Sequence, residues 1–178
     1  MLRSLRGYEA KEEVALSAEE NKALFRRAYE ELWNRGNLSV ADELIAPDFV
    51  NHSASPGSNR GPESMRGSVA WARNAFPDLR FEIEELVAEE DMVAGRLTVS
   101  GTHRGSLMGE PPSGRSVRNK HMHFVRFRDS KIVEHWGVRE DLGMMRQLGL
   151  VVVPGPRLLG RMLVHQAKKL RSRLRAGR

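Results

Sequence analysis

Residues 121–127, HMHFVRF, set two imidazoles one residue apart in a run otherwise rich in strand formers. Such a pair can chelate a metal, carry protons at the back of a pocket, or simply meet water. Chelation needs further ligands, and His52 or His135 could supply a third nitrogen. Strand-borne metal sites of the cupin kind add a glutamate a few residues after the pair. Here no acid appears until Asp129, so no metal is expected. Proton transfer asks instead for a second titratable group beside the imidazole in an apolar hollow, where burial and mutual charge move both pKa values.

Strand alternation sorts NKHMHFVRFR into two faces. Asn119, His121, His123, Val125 and Phe127 share one; Lys120, Met122, Phe124, Arg126 and Arg128 share the other. The second face ends in basic residues, so the histidine face is expected inward. A two-residue turn at Asp129 and Ser130 would set Phe127 opposite Ile132, Val125 opposite Glu134, His123 opposite Trp136 and His121 opposite Val138. This register brings Glu134 and Trp136 to the histidines. A bulged turn would put Val133 and His135 there instead, because a one-residue slip exchanges the faces of a strand.

His52, with Asn51 beside it, precedes a Gly/Ser/Pro loop, SASPGSNRG, suited to a mobile rim. Trp71, Phe76, Trp33 and Tyr29 are candidates to line a cavity, although aromatics at helical spacing also build ordinary cores. Leu107 and Met108, on the long loop GSLMGEPPSGR, suggest an apolar lip. The candidate catalytic residues are therefore His123, Glu134, His121 and His52. Trp136, Phe76, Trp71, Met108 and Asn51 are the candidate substrate contacts.

Positioning these groups falls to helices at the front of the chain and strands behind them. Ser17 and Glu20 make a capping-box pattern, and Leu24, Phe25, Ala28, Leu32 and Trp33 recur at helical spacing until Gly36. A short helix is expected over 39–45, a short strand at DFVNHS, and a third helix from Gly61 and Pro62 to Pro77. The period then changes to two through LRFEIEELVAEE, MVAGRLTVSGTHRG, SVRNKHMHFVRFR and KIVEHWGV, which predicts a meander of antiparallel strands. A short helix follows at EDLGMMRQLGL. The expected class is α+β: a curved antiparallel sheet covered by the N-terminal helices, with a pocket between them. Residues 1–16 read as an N-terminal extension, 17–150 as the domain, and 151–178 as a basic helical tail.

The chain has 178 residues, 40% hydrophobic and 29% charged, enough for one globular domain with a small appendage. Its net charge is +6, but residues 154–178 alone hold eight Lys or Arg and no acid, leaving the remainder slightly acidic. A nearly neutral body gives little reason to expect a nucleic-acid partner. Membrane contact through the tail is not expected either, although a cationic amphipathic helix permits it. No cysteine occurs, which excludes disulfides, thiolate clusters and a cysteine nucleophile and suits a reducing compartment. Neither a signal peptide nor the roughly 18-residue apolar run of a membrane span is found. A cytoplasmic protein is the expectation.

Three stretches, LWNRGNLSVADELIAPDFVNH, AFPDLRFEIEELVAEEDMVAGRLTVSGTHRGSLMGEPPSGRSV and FRDSKIVEHWGVREDLGMMRQLG, resemble in order and spacing the SnoaL-like polyketide cyclase, or ester cyclase, family within the nuclear transport factor 2-like superfamily. IVEHW followed by QLG is the most specific part. The resemblance covers about residues 20–150 and implies a cone-shaped α+β fold, a pocket, frequent homodimers and no cofactor. It also implies ring closure of an aromatic polyketide by intramolecular aldol condensation, with an acidic residue as acid/base and His123 as donor or base beside His121. Toward the end of the last strand, where that acid is expected, the sequence offers Gly137 and Val138, and the nearest acids are Glu134, Glu140 and Asp141. The leading expectation is thus a cofactor-free cyclase, isomerase or related lyase acting on a hydrophobic carbonyl compound. A non-catalytic binding module of the same fold and a protein attaching to surfaces through its tail are the alternatives.

Overall fold

The computed structural model describes residues 17–55, 57–58, 60–150, 160, 163 and 164. The chain divides into a body ending at Leu148 and a C-terminal unit beginning at Gly149. The expected N-terminal extension lies outside the described residues, as does the expected basic tail apart from Gly160, Leu163 and Val164, which are helical and exposed. Among the described residues no helix is long and apolar enough to cross a membrane.

Helix α1, Ala18–Ala28, starts where its capping box predicts: Ser17 Oγ accepts the Glu20 amide, and the Glu20 carboxylate accepts the Ser17 amide. It runs on as a wider π-helical turn, Tyr29–Asn34. That turn delivers the Asn34 amide to both backbone groups of Phe81, with Asn34 Nδ2 donating to the carbonyl at 3.1 Å and Oδ1 accepting the N–H at 2.7 Å. The carbonyls of Trp33 and Asn34, left open at the helix end, are taken by Arg73 Nη1 at 3.0 and 2.9 Å. Leu38–Val40 forms a 3-10 turn and α2, Ala41–Leu44, is a single turn, so the helix expected over 39–45 is shorter and more tightly wound than its pattern suggested. Strand β1 begins earlier than expected and spans Ile45–Asn51. Helix α3 is Gly61–Ala75, with Pro62 in its first turn, and α4 is Asp141–Leu148.

Strands β2 (Arg80–Glu89), β3 (Met92–Thr102), β4 (Ser116–Arg128) and β5 (Lys131–Arg139) form the predicted antiparallel meander. Strand β1 joins its edge parallel to β5, giving the order β1-β5-β4-β3-β2. Bulges interrupt β2 after Ile83 and β5 after Ile132 and add local bend to the sheet. Helix α1 packs on β2 and β3, and α3 on β1. Between the layers Phe25, Leu32, Phe49, Val69 and Leu97 are fully buried, each worth about 1.5–3 kcal/mol relative to exposure. Phe25 reaches the sheet because residue 95 is glycine: a Cβ there would stand 2.6 Å from the ring tip.

Strand β4 alternates without a break, with Val117, Asn119, His121, His123, Val125 and Phe127 buried. The β4–β5 hairpin corrects the expected register. Its turn does have two residues: Asp129 and Ser130 both take left-handed backbone, at φ +50° and +60°, as a type I′ turn requires. Phe127 faces Ile132 as expected, but Val133 is then extra, and Arg126 meets Glu134, Val125 meets His135 and His123 meets Gly137. The bulge buries Ile132 and Val133 together. Every later β5 side chain is thereby moved to the opposite face from the one expected.

Candidate functional site

Between α1, α3 and the concave face of the sheet lies a cavity of about 580 Å³, within the usual range for a small organic ligand. Its walls are largely apolar, from Leu32, Trp33, Phe76, Leu79, Phe81 and Val117, with Met108 and Trp71 among the lining residues. Polar groups converge on one side: Asn119, His121 and His123 from β4, His135, Gly137 and Arg139 from β5, Asn51 from the end of β1, and Asp141 from the start of α4.

The three imidazoles are 9% exposed or less, unusual burial for so polar a cluster. His123 Nδ1 lies 2.8 Å from His135 Nε2, and His135 Nδ1 lies 3.0 Å from Asn51 Oδ1. Asn119 Nδ2 stands 3.0 Å from His121 Nε2. Each β4 histidine keeps one buried nitrogen, Nδ1 of His121 and Nε2 of His123, that nothing among the described residues partners. Buried polar atoms are normally satisfied, so these two are open to a hydrogen bond with a ligand group or a water in the cavity. The rings of His121 and His123 are 5.5 Å apart, and Tyr29 and Phe81 pack against His123 at 5.6 and 6.4 Å.

This setting keeps the imidazoles neutral. Burial pushes His121 and His135 down to about 4, with the Arg139 guanidinium acting in the same direction on both and His52 adding to the effect at His135. Asp141 opposes the shift at His121. His123 is held well below 6.5 by burial first, then by His135, His121 and Arg139. Burial also raises Tyr29, which remains a phenol at neutral pH. Arg139 is tied to Asp141 at 3.2 Å. Among the described residues no group of three or more His, Cys, Asp or Glu is arranged to hold a metal ion.

Of the residues singled out in the sequence, His121, His123, Asn51, Phe76, Trp71 and Met108 line the cavity. Glu134, Trp136 and His52 do not, and the bulge at Val133 is the reason for the first two. Glu134 lies on the outer face, 3.1 Å from Arg126 Nε and 3.8 Å from His52 Nε2. Trp136 stacks flat on His52 there, with ring centres 4.6 Å apart. His52 follows β1 by one residue and so points away from Asn51. In their place the cavity receives His135, which the sequence offered only through the alternative register. The signal for it was the apolar pair Ile132–Val133, which an alternating strand would split between faces and a bulge buries together. Arg139 ends β5, one residue past the KIVEHWGV pattern, and Asp141 opens α4, beyond the reach of strand periodicity.

Residues 23–148 match the family model described as SnoaL-like polyketide cyclase. Aklanonic acid methyl ester cyclase DnrD of Streptomyces peucetius is 33% identical over 123 residues, 67% of this chain and 84% of that protein. Nogalonic acid methyl ester cyclase of Streptomyces nogalater is 33% identical over 120 residues, 66% of this chain and 89% of that protein. Among solved structures, AclR of Streptomyces galilaeus, provisionally called a hydroxylase, is 34% identical with a TM-score of 0.66, covering 88% of this chain and 98% of its own.

Proposed function

Given that the chain belongs to the SnoaL-like polyketide cyclase family, we propose that it closes a ring in an esterified, largely apolar polyketide-like compound by the carbon–carbon bond-forming addition of an intramolecular aldol condensation, without loss of water. The observation that carries this reading is the pair of orphaned imidazole nitrogens in the apolar cavity. His123 bonds through Nδ1, which leaves Nε2 to take a proton. His121 bonds through Nε2, which leaves Nδ1–H to donate. One nitrogen removes a proton from carbon next to a carbonyl while the other hydrogen-bonds the oxygen on which charge develops. The enolate carbon attacks a second carbonyl of the same molecule, a carbon–carbon bond forms, and the proton on His123 passes to the new alkoxide. No oxidant or external proton is consumed, and this sequence of steps calls on no cofactor.

A histidine whose protonation is disfavoured is a weak base, so the C–H it removes must be flanked by two carbonyls. Polyketide methylenes meet that condition. Asp141 offsets the charge of Arg139, which weakens the pull of the site on a substrate carboxylate and suits an ester. The same reading carries a cytoplasmic location and a homodimer, the latter checked by sedimentation.

Incubation with aklanonic and nogalonic acid methyl esters tests the proposal. The expected product has unchanged mass and one ring more by NMR. His123→Gln and His121→Phe are each expected to lower turnover about 10²–10⁴-fold with folding retained. A product heavier by one oxygen would replace cyclisation by hydroxylation, and tight binding of both esters without conversion would leave a binding module.

A further inference from the structure

We propose that Asn51 and His135 are positioning residues that fix the tautomer of His123, and that the glycine at 137 is what lets them do so; the catalytic meaning of this rests on the function proposed above, whereas the tautomer itself does not. The direction of the chain is set at its far end. Asn51 Oδ1 accepts the backbone N–H of Ser53 at 3.0 Å, which identifies that side-chain atom as the oxygen. His135 Nδ1, 3.0 Å from the same oxygen, must therefore carry a proton and donate it. A neutral imidazole has one N–H, so His135 Nε2 is an acceptor. It lies 2.8 Å from His123 Nδ1, which in turn must donate. The only nitrogen of His123 left with a lone pair is Nε2, the atom with no partner among the described residues. A backbone amide thus dictates, through two side chains, which nitrogen of a third can act as base.

The backbone supports this order. Asn51 and His135 are register partners across the parallel β1–β5 pair, and His123 faces Gly137 across β4–β5. A Cβ at position 137 would stand 2.9 Å from His123 Nδ1 and 3.3 Å from His135 Cε1, inside the space the pair needs. The glycine therefore does at this point what no other residue does: it leaves room for two rings to meet edge to edge.

The test is the imidazole ¹⁵N spectrum of the full-length, ligand-free protein labelled at histidine, near pH 7.5 and assigned by single-histidine substitution. His123 and His135 are expected as Nδ1–H tautomers. Asn51→Leu, which removes the acceptor, should redistribute both tautomers, and Asn51→Asp, which keeps it, should restore the Nδ1–H form. In turnover, Asn51→Leu is expected to reduce kcat about 10²-fold or more with KM changed less than about threefold, and Asn51→Asp to recover most of it, since a mis-set tautomer disables an oriented base. Wild-type His123 found as Nε2–H overturns the proposal whatever the activity, as does a fall in kcat for Asn51→Leu with tautomers unmoved. The expected tautomers in a protein that cyclises nothing would uphold the relay and reject only the cyclase reading. Gly137→Ala provides a second variant should Asn51→Leu not fold, with the His123 tautomer again the readout.

Discussion

His123 Nδ1 and His135 Nε2 meet at 2.8 Å with both rings buried and both disfavoured as cations. A histidine whose value is lowered in the folded state is bound to fewer protons there than in the unfolded chain. Stability is therefore complete above the unfolded value of 6.5 and declines as pH falls from there toward about 4, where His121 and His135 titrate in the fold. Each of these two contributes about 3 kcal/mol to that decline. Urea unfolding from pH 7.5 to 4.5 should show the loss, and His135→Gln should reduce it.

Activity should follow the same groups with a different signature. The base works unprotonated, and His123 resists protonation well below 6.5. The plot of log kcat/KM against pH is expected to stay level down through pH 6.5 and to turn over only at lower pH. A limb centred at the value of free imidazole would assign the proton transfer to a group other than His123.

Replacing the residue at the mouth of the 105–115 loop tests packing alone. A Cβ on Gly105 would fall 1.9 Å from the carbonyl oxygen of Asn74, at the end of α3, and Gly105 N–H is itself bonded to Ala75 O at 3.1 Å. Neither atom belongs to a flexible side chain. Gly105→Ala is expected to cost about 3 kcal/mol and to lower Tm by about 10 °C, read by calorimetry.

Glu134 offers the converse case. It is ion-paired to Arg126 on the outer face, partly exposed, and separated from the cavity by the sheet. Glu134→Gln should change kcat/KM less than about twofold and stability by no more than about 1 kcal/mol, as expected for surface pairs. A hundredfold loss of activity would bring this carboxylate back into the chemistry.

The contrast between His123 and Glu134 shows where the sequence was legible. Strand β4 alternates over thirteen residues, so its inward face could be read directly, and the cap at Ser17 and the stop at Gly36 located the first helix. The parallel attachment of β1 left no trace in periodicity, because seven residues containing a proline pair with a strand more than eighty positions away. The site was readable only as far as the hairpin. One extra residue after a correctly predicted turn reversed the next strand, since side-chain direction there depends on parity and not on composition. The π-turn at Tyr29–Asn34 was hidden for a related reason: its stabilising bonds run to Phe81, a residue that local helix signals do not sense.

The bulge at Val133 also makes the cavity's chemistry sensitive to the length of one hairpin. Loss of that single codon would rotate the strand by half a turn, withdraw an imidazole and present Glu134 and Trp136 in its stead. A change in hairpin length can therefore exchange the histidine relay for a carboxylate–imidazole dyad on this scaffold without any residue being replaced.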